Sequence, residues 1–446
     1  ENCTNTYNMF SGCSNLNSPI TITNGPTDLS GMFTSCTKLR QEITIPESLK
    51  EIKGYSFEAC EKLQTIYFNA IDCVTKDCVN TPFRDIGHPV KVVCGDKVES
   101  MYDTYVGCSN LTGKPVCGQN VTNMSFTYCG CPNLTGSPVC GNNVINMSST
   151  YVHCINLTGT AVCGPNVTDF NHTYARCYNI TNTICGINVI NMCNTYEDCN
   201  NITTAACGSN VINMSWTYNN CCNLTMAVCG ENVTEFIGTY NNCYLLTTPV
   251  CGNNVINMCN TYSNCPNITT PVCGNNVKNM DYAYYNCEKV STAICGENVI
   301  NMCGTYSNCP NITTPVCGNN VVNMYMTYQN CKNLIGAPVC GPNVVMLSCA
   351  YKNCQNVYGN MYVYSNSVNY AINCFTGRNT SNMLNIYVNK GTNSCNAMLY
   401  SNYMSLVGTY FSWTNDTTNN CYYNTTYNLY VYPVENVVNA RLANGD

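Results

Sequence analysis

The chain has 446 residues, of which only 9% are charged, and its net charge of −6 is spread without acidic or basic runs. Because phosphate binding needs clustered Lys and Arg, this composition argues against nucleic acid as a partner. No apolar run approaches the roughly 20 residues that span a bilayer, which argues against membrane insertion. The opening residues Glu1-Asn2-Cys3 carry no signal-peptide pattern, an observation that leaves a cleaved leader open.

The first 93 residues repeat one element, in which an aromatic residue is followed three residues later by Cys and six residues later by Leu. The copies are Met9-Phe10 with Cys13 and Leu16, Met32-Phe33 with Cys36 and Leu39, and Ser56-Phe57 with Cys60 and Leu63. Together with Ile45-Pro46, these segments resemble the BspA-like leucine-rich repeat almost position for position. The resemblance implies a right-handed solenoid with an adhesive or recognition role, in microbial and protist surface proteins and in phage-encoded proteins. Residues 61–93 break the period, and we interpret them as an irregular insertion or a widened coil.

A Cys-Gly pair then recurs twelve times, from Cys94 to Cys340, at spacings of 22 or 23 residues, and a second cysteine follows each by 14 residues. A fixed period in this range indicates a solenoid whose coils bury their apolar side only against neighbouring coils. We therefore predict a repeat solenoid with short parallel strands. Its domains are N-terminal repeats over 1–93, a twelve-coil array over 94–357, and a C-terminal segment over 358–446. The Cys-Gly-x-Asn variant is similar to leucine-rich repeat proteins encoded by bacteriophages of gut bacteria.

Within one coil, Leu134, Val144, Met147 and Tyr151 represent four columns that we expect to form the core. The Gly after each cysteine is expected to turn the chain with positive φ. The Asn two residues later is expected to hydrogen-bond the turn backbone of neighbouring coils. Proline in the strand segment, as at Pro138, removes a ladder donor and predicts strands of about three residues.

Residues 358–446 lose the period and alternate strand and helix patterns. We predict strands at 361–364, 384–388 and 427–432, and helices near 367–375, 393–407 and 434–443. This pattern fits a small α/β cap or degenerate repeats that cover the last coil or dock to a partner.

The 39 cysteines admit two interpretations. Coils about 4.8 Å apart would allow disulfides between stacked cysteines, whereas a cytosolic product would keep buried rows of free thiols. The low charge and the odd cysteine count favour free thiols. Because zinc-ligand spacing is missing and only three histidines occur (His88, His153 and His172), we expect no metal and no cofactor.

Nineteen Asn-x-Ser/Thr sequons occur. Eight of them share one column of the repeat: Asn110, Asn133, Asn156, Asn179, Asn201, Asn223, Asn267 and Asn311. Secretion through a eukaryotic pathway would place a row of glycans there. The favoured alternative is that Asn-Leu-Thr belongs to the packing consensus and creates sequons by accident.

The sequence holds no catalytic constellation, because its nucleophile candidates are copies of repeated columns, and we expect no enzyme activity. Positions just after the Met column vary, and five of them carry large side chains: Phe126, His172, Trp216, Tyr282 and Tyr325. A variable aromatic row on a rigid scaffold predicts a surface that binds a cell-surface protein or glycan, although drift at solvent positions would also vary these residues.

The leading hypothesis is an extracellular or virion-surface recognition or adhesion protein. The alternative is a structural fibre, decoration or assembly component that docks to other structural subunits or forms a homo-oligomer.

Overall fold

The computed structural model describes residues 3, 5–40, 42–52, 54–75, 82–399, 406–408 and 412–446. The chain divides into two compact units, Glu1–Leu224 and Thr225–Asp446. In each unit, consecutive repeats stack as coils through backbone hydrogen bonds between equivalent positions. Tyr128 N donates to Thr150 O at 2.9 Å in the first unit, and Tyr262 N donates to Ala283 O at 2.9 Å in the second. The prediction of a solenoid is confirmed in both units, whereas the domain boundaries at 93 and 357 stay a prediction.

The strands of the coils are short and parallel, as predicted. In the first unit, β1 (Glu42–Ile45), β2 (Thr65–Phe68) and β3 (Lys91–Cys94) form one sheet, and β4 (Gly159–Thr160) pairs with β5 (Ile180–Asn182). In the second unit, β6 (Ile335–Gly336) pairs with β7 (Asn356–Val357). In the other coils the strand pairing is reduced to isolated β-bridges, such as that between Gly113 and Leu134. The strand segment of these coils often holds a proline.

Residues 61–93 form a widened coil. Thr65 pairs with Glu42 on one side and with Lys91 on the other, so the parallel sheet continues from β2 to β3 across the longer segment. Residues 76–81 of this segment, which include Cys78, lie outside the described residues.

The predicted core columns are buried: Leu134, Val144, Met147 and Tyr151 are each at most 1% exposed. The rings of successive coils stack with centroids 5.3–5.9 Å apart. In the first unit the stack comprises Phe10, Phe33, Phe57, Phe83, Tyr105, Tyr128, Tyr151, Tyr174, Tyr196 and Tyr218. In the second unit it comprises Tyr240, Tyr262, Tyr284, Tyr306, Tyr328, Tyr351 and Phe375. We call these two stacks the aromatic ladders.

In the N-terminal coils, strand pairing provides hydrogen-bond partners for the backbone N–H and C=O groups. In the later coils, tyrosine hydroxyls provide them. Tyr151 Oη accepts from Val139 N at 3.2 Å and donates to Val139 O at 2.7 Å. The same pair of bonds joins Tyr128, Tyr174, Tyr196, Tyr218, Tyr240, Tyr262, Tyr284, Tyr306, Tyr328 and Tyr351 to the residue twelve positions earlier. For Tyr105 the residue twelve positions earlier is Val93, which is paired within β3, and the buried Tyr105 hydroxyl has no hydrogen-bond partner. Tyrosine thus satisfies backbone groups where the strand is lost.

Two Tyr→Phe variants test the role of the hydroxyl, one at a tyrosine that bonds the backbone and one at a tyrosine whose hydroxyl has no partner. Tyr151→Phe is expected to lower the free energy of unfolding by about 1–3 kcal/mol, because the N–H and C=O of Val139 lose their partner. Tyr105→Phe is expected to leave the free energy unchanged or to raise it, because it removes a hydroxyl that is buried without a partner. Urea unfolding followed by circular dichroism measures both, and equal losses in the two variants would contradict the assigned role.

The glycine of each Cys-Gly pair is required for a different reason from the predicted one. Among the described residues, none of these glycines has a left-handed φ, so the predicted positive-φ turn is wrong. Instead, the backbone of the preceding coil approaches closely. A Cβ on Gly274 would lie 2.5 Å from Gly252 O and 3.0 Å from Cys251 Sγ, closer than atoms can pack. Glycine is therefore needed because the neighbouring coil fills the space of its side chain.

The Asn that follows two residues later bonds the neighbouring coil, as predicted. Asn143 Nδ2 donates to Gln119 O at 3.0 Å in the first unit, and Asn276 Nδ2 donates to Asn253 O at 3.0 Å in the second. Each turn carbonyl of one coil is thereby satisfied by the side chain of the next.

The C-terminal part of the second unit ends in a five-stranded sheet with two helices. The elements are β8 (Gly359–Val363), β9 (Leu384–Asn389), α1 (Asn393–Leu399), β10 (Thr414–Asp416), β11 (Cys421–Asn424), β12 (Leu429–Val434) and α2 (Val437–Ala443). The strand order is β10-β11-β12-β9-β8, with β8, β9 and β12 parallel and the others antiparallel. The prediction of a small α/β cap is confirmed. Among the described residues, no helix has the length and apolar character to cross a membrane.

The helix predicted near 367–375 is wrong, because this segment forms turns of a further coil. Phe375 extends the aromatic ladder beyond Tyr351, and Asn373 has a φ of 57°, which interrupts a right-handed helix. The predicted helices at 393–407 and 434–443 correspond to α1 and α2, although residues 400–405 lie outside the described residues. The hairpin of β10 and β11 was not predicted.

Candidate recognition surface

Each coil of the central repeats bends twice through left-handed backbone. One bend falls on the second residue after the Met column and the other on the second residue after the Tyr column. The first position has φ between 52° and 59° and holds Asp103, Phe126, Ser149, His172, Asn194 and Trp216 in one unit and Gly238, Asn260, Tyr282, Gly304, Met326 and Cys349 in the other. We call this set of residues the left-handed stripe.

The composition of the stripe is unusual for its backbone. Left-handed backbone costs roughly 1–2 kcal/mol for residues other than Gly, Asn and Asp. From Asn220 to Asn353 the second bend carries Asn in every coil, whereas His153 and Arg176 occupy it in two earlier coils. The stripe carries Phe, His, Trp, Tyr or Met in five coils, although Asn194 and Asn260 show that asparagine fits the same position. Large side chains on this strained backbone make the stripe a candidate functional surface.

Four of the five residues predicted from the sequence lie in the stripe. Phe126 is 39% exposed, whereas His172, Trp216 and Tyr282 are half-buried. Tyr325 is 37% exposed and lies one residue before the stripe, which Met326 occupies in that coil. From the sequence, the first and second positions after the Met column were treated as one variable group. The left-handed backbone that distinguishes them is visible only in the structure.

In the first unit the stripe combines aromatic rings with a polar segment. Phe126 packs edge-on against Tyr102, with ring centroids 6.3 Å apart. His172 Nδ1 lies 2.5 Å from Asn171 Oδ1, and burial lowers the pKa of His172 in spite of the nearby Glu197 and Asp169 carboxylates. His172 is therefore a neutral contact group at physiological pH.

In the second unit, one coil makes room for the aromatic ring of the coil before it. Tyr282 packs edge-on against Tyr285 at 5.8 Å, and its ring also covers Gly304, the stripe residue of the next coil. A Cβ on Gly304 would lie 2.6 Å from Cδ1 of Tyr282. The glycine thus leaves room for the tyrosine ring over the next coil.

A groove of about 450 Å³ lies beside the stripe in the second unit. It is lined by Asn323, Tyr325, Met346, Ser348, Cys349, Tyr370, Ile372 and Asn373. Tyr325 and Tyr370 are 37% and 52% exposed. Sequence reasoning missed Tyr370 because the segment was predicted as a helix; the Cys374-Phe375 pair was the signal that another coil was present.

The sequon column has a structural role. Asn133 Nδ2 donates to Ser109 O at 2.6 Å, Asn156 Nδ2 to Pro132 O at 2.9 Å and Asn267 Nδ2 to Tyr244 O at 2.7 Å. Asn110 is half-buried, and both polar atoms of its side chain are buried without a partner. The bonds agree with a packing consensus that creates sequons by accident. Glycosylation at Asn110, Asn133, Asn156, Asn179, Asn201, Asn223, Asn267 and Asn311 stays a prediction.

Among the cysteines that the structure describes, none is joined to another in a disulfide. The second thiol of the repeat is buried and in most coils donates to the carbonyl of the ladder residue in the preceding coil, as Cys154 does to Tyr128 O at 3.1 Å and Cys287 to Tyr262 O at 3.0 Å. Burial raises the pKa of the Cys117 thiol to about 11 and that of Cys140 to about 12. Such thiols are poor nucleophiles at neutral pH. Among the described residues, no group of three or more His, Cys, Asp or Glu side chains is placed to hold a metal ion.

Comparison with known proteins agrees with the geometry. Residues 6–129 match the family model "BspA type Leucine rich repeat region" in six copies. A leucine-rich repeat protein from Bacteroides ovatus superposes with a TM-score of 0.55 at 12% identity, over 80% of this chain and 89% of that one. A leucine rich cell surface protein from Faecalibacterium prausnitzii gives a TM-score of 0.39 at 13% identity, over 75% and 83% of the two chains. No curated protein matches the chain. The fold is therefore that of the leucine-rich repeat solenoid, and residues 6–129 carry the BspA-type repeat.

Proposed function

We propose that the chain is a non-enzymatic recognition or adhesion protein, whose left-handed stripe binds a cell-surface protein or glycan outside the cell, on a microbial or virion surface. One observation carries the proposal: large side chains occupy left-handed backbone where asparagine would cost less. The match of Gly304 to the Tyr282 ring supports it, because the surface ring is accommodated by its neighbour. The BspA-type repeats of residues 6–129 are in keeping with such a role.

The aromatic content of the stripe favours a protein partner over a glycan. Rigid aromatic side chains dominate binding energy at protein interfaces, where they fill pockets on the partner. Phe126 and Trp216 present such rings in the first unit, and Tyr282 and Tyr325 do so in the second. Within each unit, regular coils hold these residues at fixed spacing, so the partner meets a preorganised surface there.

A triple variant separates binding from folding. Phe126→Asn, Trp216→Asn and Tyr282→Asn together place asparagine at three stripe positions, so the free energy of unfolding is expected to stay constant or rise. Binding of the labelled protein to a panel of intact bacterial and epithelial cells, measured by flow cytometry, is expected to fall at least tenfold. The matched control is Ile145→Asn with Ile187→Asn and Ile256→Asn, which removes exposed apolar side chains outside the stripe.

The outcomes are distinct. Binding that survives in the stripe variant, or that falls equally in the control, contradicts the proposal. A stripe variant that unfolds more easily than the parent would show that these residues serve folding. Self-association of the parent that the stripe variant abolishes would favour the alternative, an assembly or fibre component that contacts its own copies.

A further inference from the structure

A second cleft lies at the C-terminal end of the second unit, away from the stripe. It is an open cleft of about 570 Å³, lined by residues 336–342 of one coil, by residues 358–360, 362 and 364 around β8, by Arg441 of α2 and by Asp446 beyond it. This volume falls within the roughly 300–1,000 Å³ of small-molecule sites. Three tyrosines, Tyr358, Tyr362 and Tyr364, line one wall.

Hydrogen bonds among the polar side chains of the cleft hold these side chains in place. Asp446 Oδ2 accepts from Tyr362 Oη at 2.5 Å and from Asn360 Nδ2 at 2.8 Å. Asn385, which is 8% exposed, supports Asn360 by donating from Nδ2 to its Oδ1 at 2.9 Å. The bonds from Tyr362 and Asn360 hold the pKa of the Asp446 carboxyl below its ordinary range, so this group is ionised at neutral pH. The acceptors of the cleft are thus preorganised.

Arg441 and Tyr358 supply donors and an aromatic surface. Arg441 Nη1 donates to Tyr364 Oη at 2.9 Å, which holds the exposed guanidinium in place with further N–H groups available to a ligand. Tyr358 is 40% exposed, so its ring is accessible for stacking. Small and apolar residues of the coil, Ala337, Pro338 and Pro342, also line the cleft.

We propose that this cleft binds a neutral pyranose, with one sugar face against the Tyr358 ring and vicinal hydroxyls bonded to Asp446 and Arg441. A pyranose combines an apolar C–H face with a rim of hydroxyls, and each hydroxyl both donates and accepts. The Asp446 carboxylate accepts and the Arg441 guanidinium donates, so these two lining groups match both capacities, and aromatic rings pack against C–H faces. A peptide fits less well, because Pro338 and Pro342 lack the N–H groups that would pair with its backbone.

The test uses the full chain and simple probes: methyl α-D-mannopyranoside, methyl β-D-galactopyranoside and N-acetyl-D-glucosamine, with the tripeptide Ala-Pro-Ala as a peptide probe. Saturation-transfer difference NMR is expected to show at least one sugar binding with a millimolar Kd. Tyr358→Ala and Asp446→Ala are each expected to weaken this binding about tenfold. The matched control Tyr244→Ala, an exposed tyrosine outside the cleft, is expected to leave it unchanged.

Three results would overturn the proposal: no response from any of the three sugars, binding that persists in both cleft variants, or binding of the tripeptide alone. The inference stands apart from the proposed stripe function. Stripe variants are expected to keep sugar binding, and cleft variants are expected to leave stripe-dependent cell binding in place, so one hypothesis can fail without the other.

Discussion

Replacing Tyr218 by Ser is expected to lower the free energy of unfolding by about 3–5 kcal/mol, the range for losing a large buried side chain. Tyr218 is fully buried, and its ring stacks on Tyr196 at 5.4 Å. Its hydroxyl also bonds N and O of Ala206 at 2.8 and 2.7 Å. The substitution therefore creates a cavity, interrupts the aromatic ladder and leaves two backbone groups without a partner.

Trp216, two residues earlier, is the matched control. It is half-buried in the left-handed stripe, so Trp216→Ser is expected to change the free energy by about 1 kcal/mol, because the side chain gives up only part of the contacts of a buried ring and the backbone strain is the same for both residues. Urea unfolding followed by circular dichroism and tyrosine fluorescence compares the two variants. Equal midpoints would contradict the division between core and surface that underlies the proposed function.

The repeat period was sufficient to predict the coils and their core, because a column that recurs every 22 or 23 residues must occupy one place in every coil. The period does not explain why a particular residue type occupies each column. Glycine after cysteine is compatible with a positive φ and with close packing, and only the backbone φ and the space around Gly274 in the structure distinguish the two. The change from Phe57 to Tyr151 could be read from the sequence, but its reason depends on which backbone groups lack a strand partner.

The candidate sites were predicted in part for similar reasons. Variability identified Phe126 and Trp216, but the left-handed backbone that makes them informative is a property of the fold. The cleft brings Tyr358 together with Arg441 and Asp446, residues that are far apart in the sequence and belong to no repeat, so no spacing pattern predicts their contact. The hairpin of β10 and β11 is rich in Thr and Asn and lacks the apolar alternation by which strands are recognised.

A steep loss of structure at alkaline pH is the largest effect that we expect. Among the described residues, burial raises the pKa of fourteen thiols to about 11 or 12, namely Cys60, Cys73, Cys94, Cys117, Cys140, Cys163, Cys185, Cys251, Cys259, Cys265, Cys273, Cys309, Cys317 and Cys354. In the unfolded chain a thiol ionises near pH 8.5. Because the folded-state pKa is raised, the stabilisation is complete below the unfolded value and is lost as the pH rises toward 11 or 12.

Above the unfolded value, each thiol that stays protonated in the fold lowers the free energy of unfolding further as the pH rises, and the buried thiols act in the same direction. Reduced protein is therefore expected to lose its structure as the pH rises above about 8.5, with circular dichroism and thiolate absorbance at 240 nm changing together. Cys140→Ala is expected to make the transition less steep by about one proton. Thiolate absorbance that rises while the circular dichroism stays native would contradict the buried thiol columns, and a fold that persists beyond pH 11 under reducing conditions would contradict the raised pKa values.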